Sequence, residues 1–580
     1  MDAAGGAPVV LRGVAGAPGQ ALGPVLVYRP ARPAPAFAPI APAQAGVEQA
    51  RVTAALAGAQ AELERLAEEV GTSIGPDEAA IFSAQALMAT DPLLSDRAGE
   101  LVAAQHYPAD AAILAAAEEQ AEMLAAIDDA YLRERAADVR DVGRRAARIA
   151  RGEPAPADLR RLPGPVVILA EDLSPSETAG LDRRHVLGIG LSGGGPTSHA
   201  AVVARALGVP LVCGLGLVAA QDGQPALLDG DRGRLTLNPG PDARAAHAAW
   251  RAERDRAGAE DAGLRDLPAV TRDGRRIRLA ANAGAVADAQ QAAEHGAEGI
   301  GLLRTEFLFL DHRPEEAEQE AAYRTIYAAL PGREVVVRTL DLGGDKPPPY
   351  LDFGQEANPF LGWRGLRVAL DEPDLLRTQV RALLRAGAGR AVHIMFPMVT
   401  TRDEWRRARA MVDEVRGELA ASGDPGPSEV AVGIMVEVPA AALLAPVFAA
   451  EADFFSIGTN DLTQYTLAAD RGSARVAHLY SPIHPAVLQL IARTVEASHA
   501  AGHWTGICGE AAGNPAWAPL WVGLGVDELS MAPAAIPAIK RVIRGLRAAE
   551  AQTLAAQALA QATPAEVEAV LDMAARAAEA

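Results

Sequence analysis

The chain has 580 residues, more than one hydrophobic core usually serves, so two or three domains are expected. Apolar residues make up 49% and charged residues 22%, a globular composition that excludes the disordered and fibrous classes. A formal net charge of −20 argues against nucleic acid or an anionic membrane as a partner, so an anionic substrate must be met by local arginines.

The first β-type run is Gly23-Pro-Val-Leu-Val-Tyr28. Between 47 and 70 the apolar residues Val52, Leu56, Leu63, Leu66 and Val70 fall at spacings of four, seven, three and four, which predicts an amphipathic helix. The Ala/Glu-rich text continues to Ile149, broken at Asp91-Pro92 and Tyr107-Pro108 as in antiparallel helical hairpins. β-type runs resume at 165–169, 186–189 and 235–237. A helical domain over residues 35–150 is therefore expected inside an α/β domain made of 1–34 and 151–240. The charged stretch 241–265 reads as a linker helix.

Beyond it, strand-like runs alternate with helical segments at 277–283, 299–306, 334–341, 392–399, 430–438, 453–461, 504–510 and 528–532. This alternation predicts a (β/α)8 barrel over residues 266–580, with functional groups at the C-terminal ends of its strands. The two cysteines, Cys213 and Cys508, offer neither a disulfide framework nor zinc spacing. No uncharged stretch is long enough to span a bilayer. Together these features predict a cytoplasmic protein without membrane insertion.

The segment Ser192-Gly-Gly-Gly-Pro-Thr-Ser-His199-Ala-Ala-Val-Val-Ala-Arg205 sets a histidine where a glycine-rich turn yields to an apolar helix. Unpaired N–H groups and the positive end of the helix dipole favour an anion there and disfavour imidazolium, which keeps the ring neutral and nucleophilic. His199 is thus a candidate phosphoryl acceptor; taken alone, the segment also fits a Ser or Thr cap followed by a locally bonded histidine. In the barrel, Arg304, Arg338, Glu437, Asp461 and Cys508 fall at the ends of five expected strands, where one pocket can hold them all. Glu437 and Asp461 are hard oxygen donors, although each alone also fits a strand-end cap or an ion-pair partner. Cys508 alone reads as a small buried hydrophobe.

The pattern Gly-Gly-x-Thr-Ser-His199-x-x-x-x-Ala-Arg205 resembles the phosphohistidine motif of the phosphoenolpyruvate (PEP)-utilising enzymes. Gly299-Ile-Gly-Leu-Leu-Arg304-Thr-Glu306, Arg338-Thr-Leu-Asp-Leu-Gly-Gly-Asp-Lys346, Gly433-Ile-Met-Val-Glu437, Ser456-Ile-Gly-Thr-Asn460-Asp461-Leu-Thr-Gln-Tyr465 and Gly506-Ile-Cys508-Gly-Glu510 resemble the barrel motifs of that family. The helical insertion, Gly13-Val-Ala-Gly-Ala-Pro-Gly19 and Tyr131-Leu-Arg-Glu-Arg-Ala-Ala-Asp-Val-Arg-Asp141 are similar to enzyme I of the bacterial sugar phosphotransferase system in particular. The likeness covers nearly the whole chain. It implies a phosphohistidine α/β swivelling domain with an inserted α-helical, carrier-binding domain, plus a C-terminal PEP-binding (β/α)8 TIM barrel.

The same resemblance implies transfer of the PEP phosphoryl group to His199 and then to a histidine of an HPr-type carrier protein, releasing pyruvate, as the first step of sugar uptake. Arg304, Arg338, Asn460, Asp461 and Arg471 would bind PEP, whose carboxylate and phosphate suit guanidinium forks better than ammonium groups. Glu437 and Asp461 would hold Mg²⁺, and Cys508 would be the acid that protonates the enolate. A homodimer through the barrel is also implied. Pro196 stands where many enzymes I carry arginine, which removes one cation beside His199. Pyruvate phosphate dikinase and PEP synthase share the histidine and the barrel but need a nucleotide-grasp domain for which no room remains. A regulatory protein whose catalysis has lapsed is disfavoured, because every expected site residue is present.

Overall fold

The computed structural model describes residues 7–579, apart from 29–37, 74–75, 126–129, 154–158, 160–161, 163, 174, 179–180, 182–183, 196–197, 217–218, 311, 345–347, 355 and 471–475. Pro196 and Arg471 lie outside the described residues. The chain folds as two compact units, Met1–Glu253 and Arg254–Ala580.

In the first unit one sheet holds β1 (Val9–Arg12), β2 (Val14–Ala17), β3 (Gln20–Tyr28), β4 (Val166–Ala170), β5 (Val186–Leu191), β6 (Leu211–Cys213), β7 (Pro225–Asp229) and β8 (Arg234–Leu237). Their order is β1-β8-β7-β3-β4-β5-β6-β2, parallel from β3 through β6 and antiparallel at the flanks. Between β3 and β4 the chain leaves the sheet for the helices Ala45–Ser73, Pro76–Ala89, Pro92–Gln105, Ala109–Ala125 and Ala130–Ala150. Their apolar stripes meet in a separate core that includes Val52, Leu56, Leu63, Phe82, Leu101, Ile113 and Val142. The break at Asp91-Pro92 is a helix start: the Asp91 carboxylate accepts from Leu93 N at 2.9 Å, and Pro92 takes the first helical position, where an N–H would go unused.

In the second unit β9 (Arg278–Ala283), β10 (Gly299–Leu303), β11 (Glu334–Arg338), β12 (Ala391–Phe396), β13 (Glu429–Val436), β14 (Phe455–Ile457), β15 (Thr505–Ile507) and β16 (Glu528–Met531) close into an all-parallel barrel. Each of the eight strand-like runs of the sequence overlaps one of these strands, β12 and β13 starting one residue before their runs. The run 453–461 is the most shortened, because β14 ends at Ile457 and a helix, Thr459–Leu467, starts two residues later. Asn460 and Asp461 therefore sit in a helical first turn rather than at a strand end.

Leu302, Val336, Met395, Met435, Phe454 and Cys508 fill the barrel interior, while Tyr323, Trp405 and Trp521 are buried in the layer between strands and helices. At the N-terminal end of the strands, Arg278 pairs with Glu334 at 2.5 Å and Glu528 at 2.6 Å and stacks over Trp504 at 4.4 Å. This plug leaves the opposite rim as the place for chemistry. Among the described residues no helix is long and apolar enough to cross a membrane.

Candidate active site

His199 opens the helix His199–Leu207, and Ser198 caps it, its Oγ accepting from Ala201 N at 3.4 Å. The glycine turn before the cap is strapped to the loop after β6. Gly214 N donates to Gly193 O at 3.0 Å, Gly216 N donates to Ser192 O at 3.0 Å, and the Cys213 thiol donates to Gly195 O at 3.3 Å. At the far end Arg205 Nη1 donates to Gly16 O at 2.7 Å, tying the helix to β2. The cap and the candidate nucleophile are thus successive residues, and the helix start is fixed from both ends.

The barrel rim carries the second cluster. Arg338 ends β11 and is only 8% exposed; it pairs with Glu306 at 2.9 Å and Asp341 at 3.0 Å. Burial opposes its charge, but Glu306, Asp341 and Glu437 outweigh it and hold the guanidinium above its ordinary range. Glu437 lies one residue past β13 and is 1% exposed, with Oε1 accepting from Met398 N at 2.6 Å. Burial, then the nearby charges of Asp461 and Asp341, push its carboxyl up to about 8.

Arg364 was not among the residues expected from the sequence, yet it ties this cluster together. Its Nε and Nη2 donate to Asp341 at 3.1 and 3.0 Å, its Nη1 and Nη2 donate to Asp461 at 3.2 Å each, and Nη1 also donates to Tyr465 OH at 2.9 Å. It sits in the loop Gly362-Trp-Arg364-Gly365, away from any strand end, so strand-based reasoning passes over it. Nothing in its own segment signals this role, since the two acids it joins are 23 and 97 residues away in sequence.

Asn460 faces the turn that follows Cys508. Its Oδ1 accepts from Glu510 N at 3.1 Å and its Nδ2 donates to Glu510 Oε1 at 3.4 Å. Arg304, one residue past β10, is exposed and makes no ion pair among the described residues, although its charge reaches Asp341 and Cys508. The rim thus joins Arg338, Glu437 and Asp461 in one charged network, with Asn460 and Cys508 linked through the Glu510 turn.

Cys508, one residue past β15, is 1% exposed. Its N–H donates to Ile457 O at 3.0 Å, and its thiol faces the same carbonyl at 3.7 Å. The next residue must be glycine, because a Cβ at 509 would overlap Thr459 Oγ1. Burial pushes the thiol up to about 11, opposed by the Ser456 hydroxyl and then by Arg338 and Arg304. At neutral pH it therefore holds its proton, the state a general acid needs. The expected outcome is that Cys508 resists iodoacetamide at pH 8, with a thiolate fraction of only about 0.1%. Peptide-resolved alkylation should accelerate about tenfold per pH unit up to about 11; a plateau below pH 9 would contradict this environment.

Among the described residues no group of three or more His, Cys, Asp or Glu side chains is arranged to hold a metal with protein ligands alone. Glu437 and Asp461 nevertheless suit a hard divalent ion that shares its coordination with water and substrate oxygens. They are oxygen donors in a rim where four carboxylates, Glu306, Asp341, Glu437 and Asp461, face two buried guanidinium groups.

Three descriptions from one family match the chain in order: PEP-utilising enzyme, N-terminal, over residues 12–135; PEP-utilising enzyme, mobile domain, over 162–233; and PEP-utilising enzyme, PEP-binding domain, over 258–548. Among curated relatives, the phosphoenolpyruvate-protein phosphotransferase of Haemophilus influenzae is 40% identical over 567 residues, covering 97% of this chain and 98% of that one. The protein of the same name from Staphylococcus carnosus is 42% identical over 530 residues, covering 90% and 91%. That from Bacillus subtilis is 41% identical over 528 residues, covering 90% and 92%.

Proposed function

The chain belongs to the PEP-utilising enzyme family, and from that premise we propose that it moves the phosphoryl group of PEP to His199 and then to a histidine of an HPr-type carrier protein, releasing pyruvate. Its activity is that of a transferase acting from PEP to protein. The observation that supports the mechanism is the barrel rim, where two arginines, buried acids and a protonated thiol lie at or just past the ends of β10, β11, β13, β14 and β15.

Arg304, Arg338 and Arg471 grip the carboxylate and phosphate of PEP, and the Asn460 amide donates beside them. Glu306 and Asp341 hold the Arg338 fork in place. The neutral imidazole of His199 attacks phosphorus in line, the bond from phosphorus to the enol oxygen breaks, and its electron pair stays on that oxygen. The Cys508 S–H bond then breaks, its proton passing to the methylene carbon of the enolate to complete the pyruvate methyl group, and the electron pair stays on sulfur. The nucleophile and the PEP-binding groups belong to different units of the chain, so the cycle requires His199 to reach the rim and leave it again. Positioning and charge neutralisation supply most of the rate.

The family uses a divalent metal, and we assign Mg²⁺ to Glu437 and Asp461. When bound, the ion supplies positive charge at the phosphate oxygens. Glu437→Ala and Asp461→Ala should each raise the Mg²⁺ concentration for half-maximal pyruvate release by about tenfold or more, since each removes one of two protein ligands. Titration of the metal in a pyruvate-release assay with carrier present checks this; wild-type metal dependence in both variants would put the ion elsewhere.

The same proposal gives the sheet segments 1–34 and 151–240 to the phosphohistidine, the helices of 35–150 to carrier docking, 241–265 to a linker and 266–580 to PEP. Strands from both sides of the helical block share one sheet, which supports that division. A cytoplasmic homodimer paired through the barrel, serving the first step of sugar uptake, completes the reading; the two free, buried cysteines are in keeping with a reducing compartment.

A further inference from the structure

We propose that Asn282 and Ser530 are positioning residues for the Cys508 thiol, forming a strap across three strands that fixes where its proton is delivered. The inference rests on the reading of Cys508 as the acid. Asn282, on β9, donates from Nδ2 to the Cys508 backbone carbonyl at 3.0 Å, and Ser530, on β16, donates from Oγ to Asn282 Oδ1 at 2.7 Å.

Barrel order explains why the strap is needed. β15 is three residues long, and its ladder to β16 consists of Gly506 opposite Glu528 and Ile507 opposite Leu529. Cys508 lies one step beyond that ladder. On the β14 side its N–H still finds Ile457 O. On the β16 side the Asn282 amide reaches over to take its carbonyl, replacing the missing ladder bond. The amide can do this in only one orientation, because the Cys508 carbonyl can only accept: the nitrogen must face it, and the oxygen is left toward Ser530, whose hydroxyl donates to it and braces the amide.

Space for Ser530 is provided by Gly301 on β10. A Cβ there would lie 2.7 Å from Ser530 Oγ and would overlap Glu528 Oε1. Ser530 is fully buried, so its hydroxyl has no free solvent to turn toward. A glycine on β10 thus makes room for a serine on β16, which braces an asparagine on β9 against the carbonyl one residue past β15. General-acid catalysis depends on the direction of the S–H bond toward the carbon that is protonated, and a displacement of about 1 Å can cost about 100-fold.

The test uses the full-length protein with carrier and Mg²⁺, comparing wild type with Asn282→Ala, Asn282→Asp, Ser530→Ala and Cys508→Ala. PEP stereospecifically deuterated at C3 is turned over in tritiated water, and the chirality of the pyruvate methyl group is read. A held thiol delivers its proton to one face and gives one chirality in excess. Asn282→Ala and Asn282→Asp should lower turnover about 10- to 100-fold, leave PEP affinity within about threefold, and erode the chiral excess toward racemic. Ser530→Ala should move the same readouts in the same direction by a smaller factor, and it decides the question if an Asn282 variant does not fold.

Lower turnover with the chiral excess intact would mean a structural role only and would overturn the positioning proposal. So would unchanged turnover in the Asn282 variants while Cys508→Ala loses both rate and chirality; that pattern leaves the acid assignment standing. Retention of rate and chirality in Cys508→Ala would instead overturn the acid assignment itself.

Discussion

His199→Ala should yield a protein that binds PEP, takes up no phosphoryl group and passes none to a carrier. The loss should be total within detection, because the in-line attack needs one neutral, positioned nucleophile and nothing else in the proposed cycle accepts the group. PEP affinity should stay within about threefold of wild type, since the groups proposed to hold PEP belong to the other unit and ground-state binding does not need the nucleophile. The unit boundary at residues 253 and 254 underlies this separation. Equilibrium binding of PEP together with labelling by radioactive PEP measures both quantities on one preparation. Acid-labile, base-stable label retained by the variant would remove His199 from its role.

Cys508→Ser should lower turnover by about 100- to 10,000-fold, the usual worth of a positioned general acid, while PEP affinity moves by no more than about threefold. The substitution nearly preserves shape. The Ile457 carbonyl that the thiol faces at 3.7 Å remains available to a hydroxyl, so a buried polar group is not left unsatisfied. What changes is acidity: an alcohol is a far weaker acid than a thiol, even one held up at about 11 by burial. Proton delivery acts in the transition state, so the loss should appear in kcat and not in substrate binding. The reverse reaction, from phosphorylated carrier to pyruvate, should slow by a similar factor. Unchanged turnover in both directions would make Cys508 a packed core residue.

Much of this architecture was legible in the sequence for a physical reason. Barrel strands buried on both faces appear as continuous apolar runs, and the chemistry of the fold concentrates where such runs end. Arg338 closes β11, and Arg304, Glu437 and Cys508 each follow a strand by one residue, so all four could be found by reading to the end of a run. The run containing Asp461 misled in one respect: Gly458-Thr459-Asn460-Asp461 is turn and helix-start text that ends the strand at Ile457 and opens the helix Thr459–Leu467, and the expected strand ran on through it.

Arg364 was illegible because it lies in an aperiodic loop and takes its meaning from two acids, Asp341 and Asp461, that are respectively 23 and 97 residues away. Asn282 and Ser530 were illegible for a different reason. They are small polar residues within or at the edge of apolar runs, 248 residues apart, and only closure of the barrel, which sets β9 against β16, makes them neighbours. The helix cap at Ser198 was visible as one of two readings of the glycine-rich segment, and the fold accommodates it beside the candidate nucleophile.

The most direct measurement of the central claim is to incubate the full-length protein with phosphate-labelled PEP and Mg²⁺, map the labelled residue by mass spectrometry under alkaline conditions, and then add the carrier. The account predicts a single phosphohistidine at His199, formed with one equivalent of pyruvate and discharged onto a carrier histidine. Stoichiometric pyruvate release with the label on any other residue, or a His199 label that the carrier cannot remove, would contradict it.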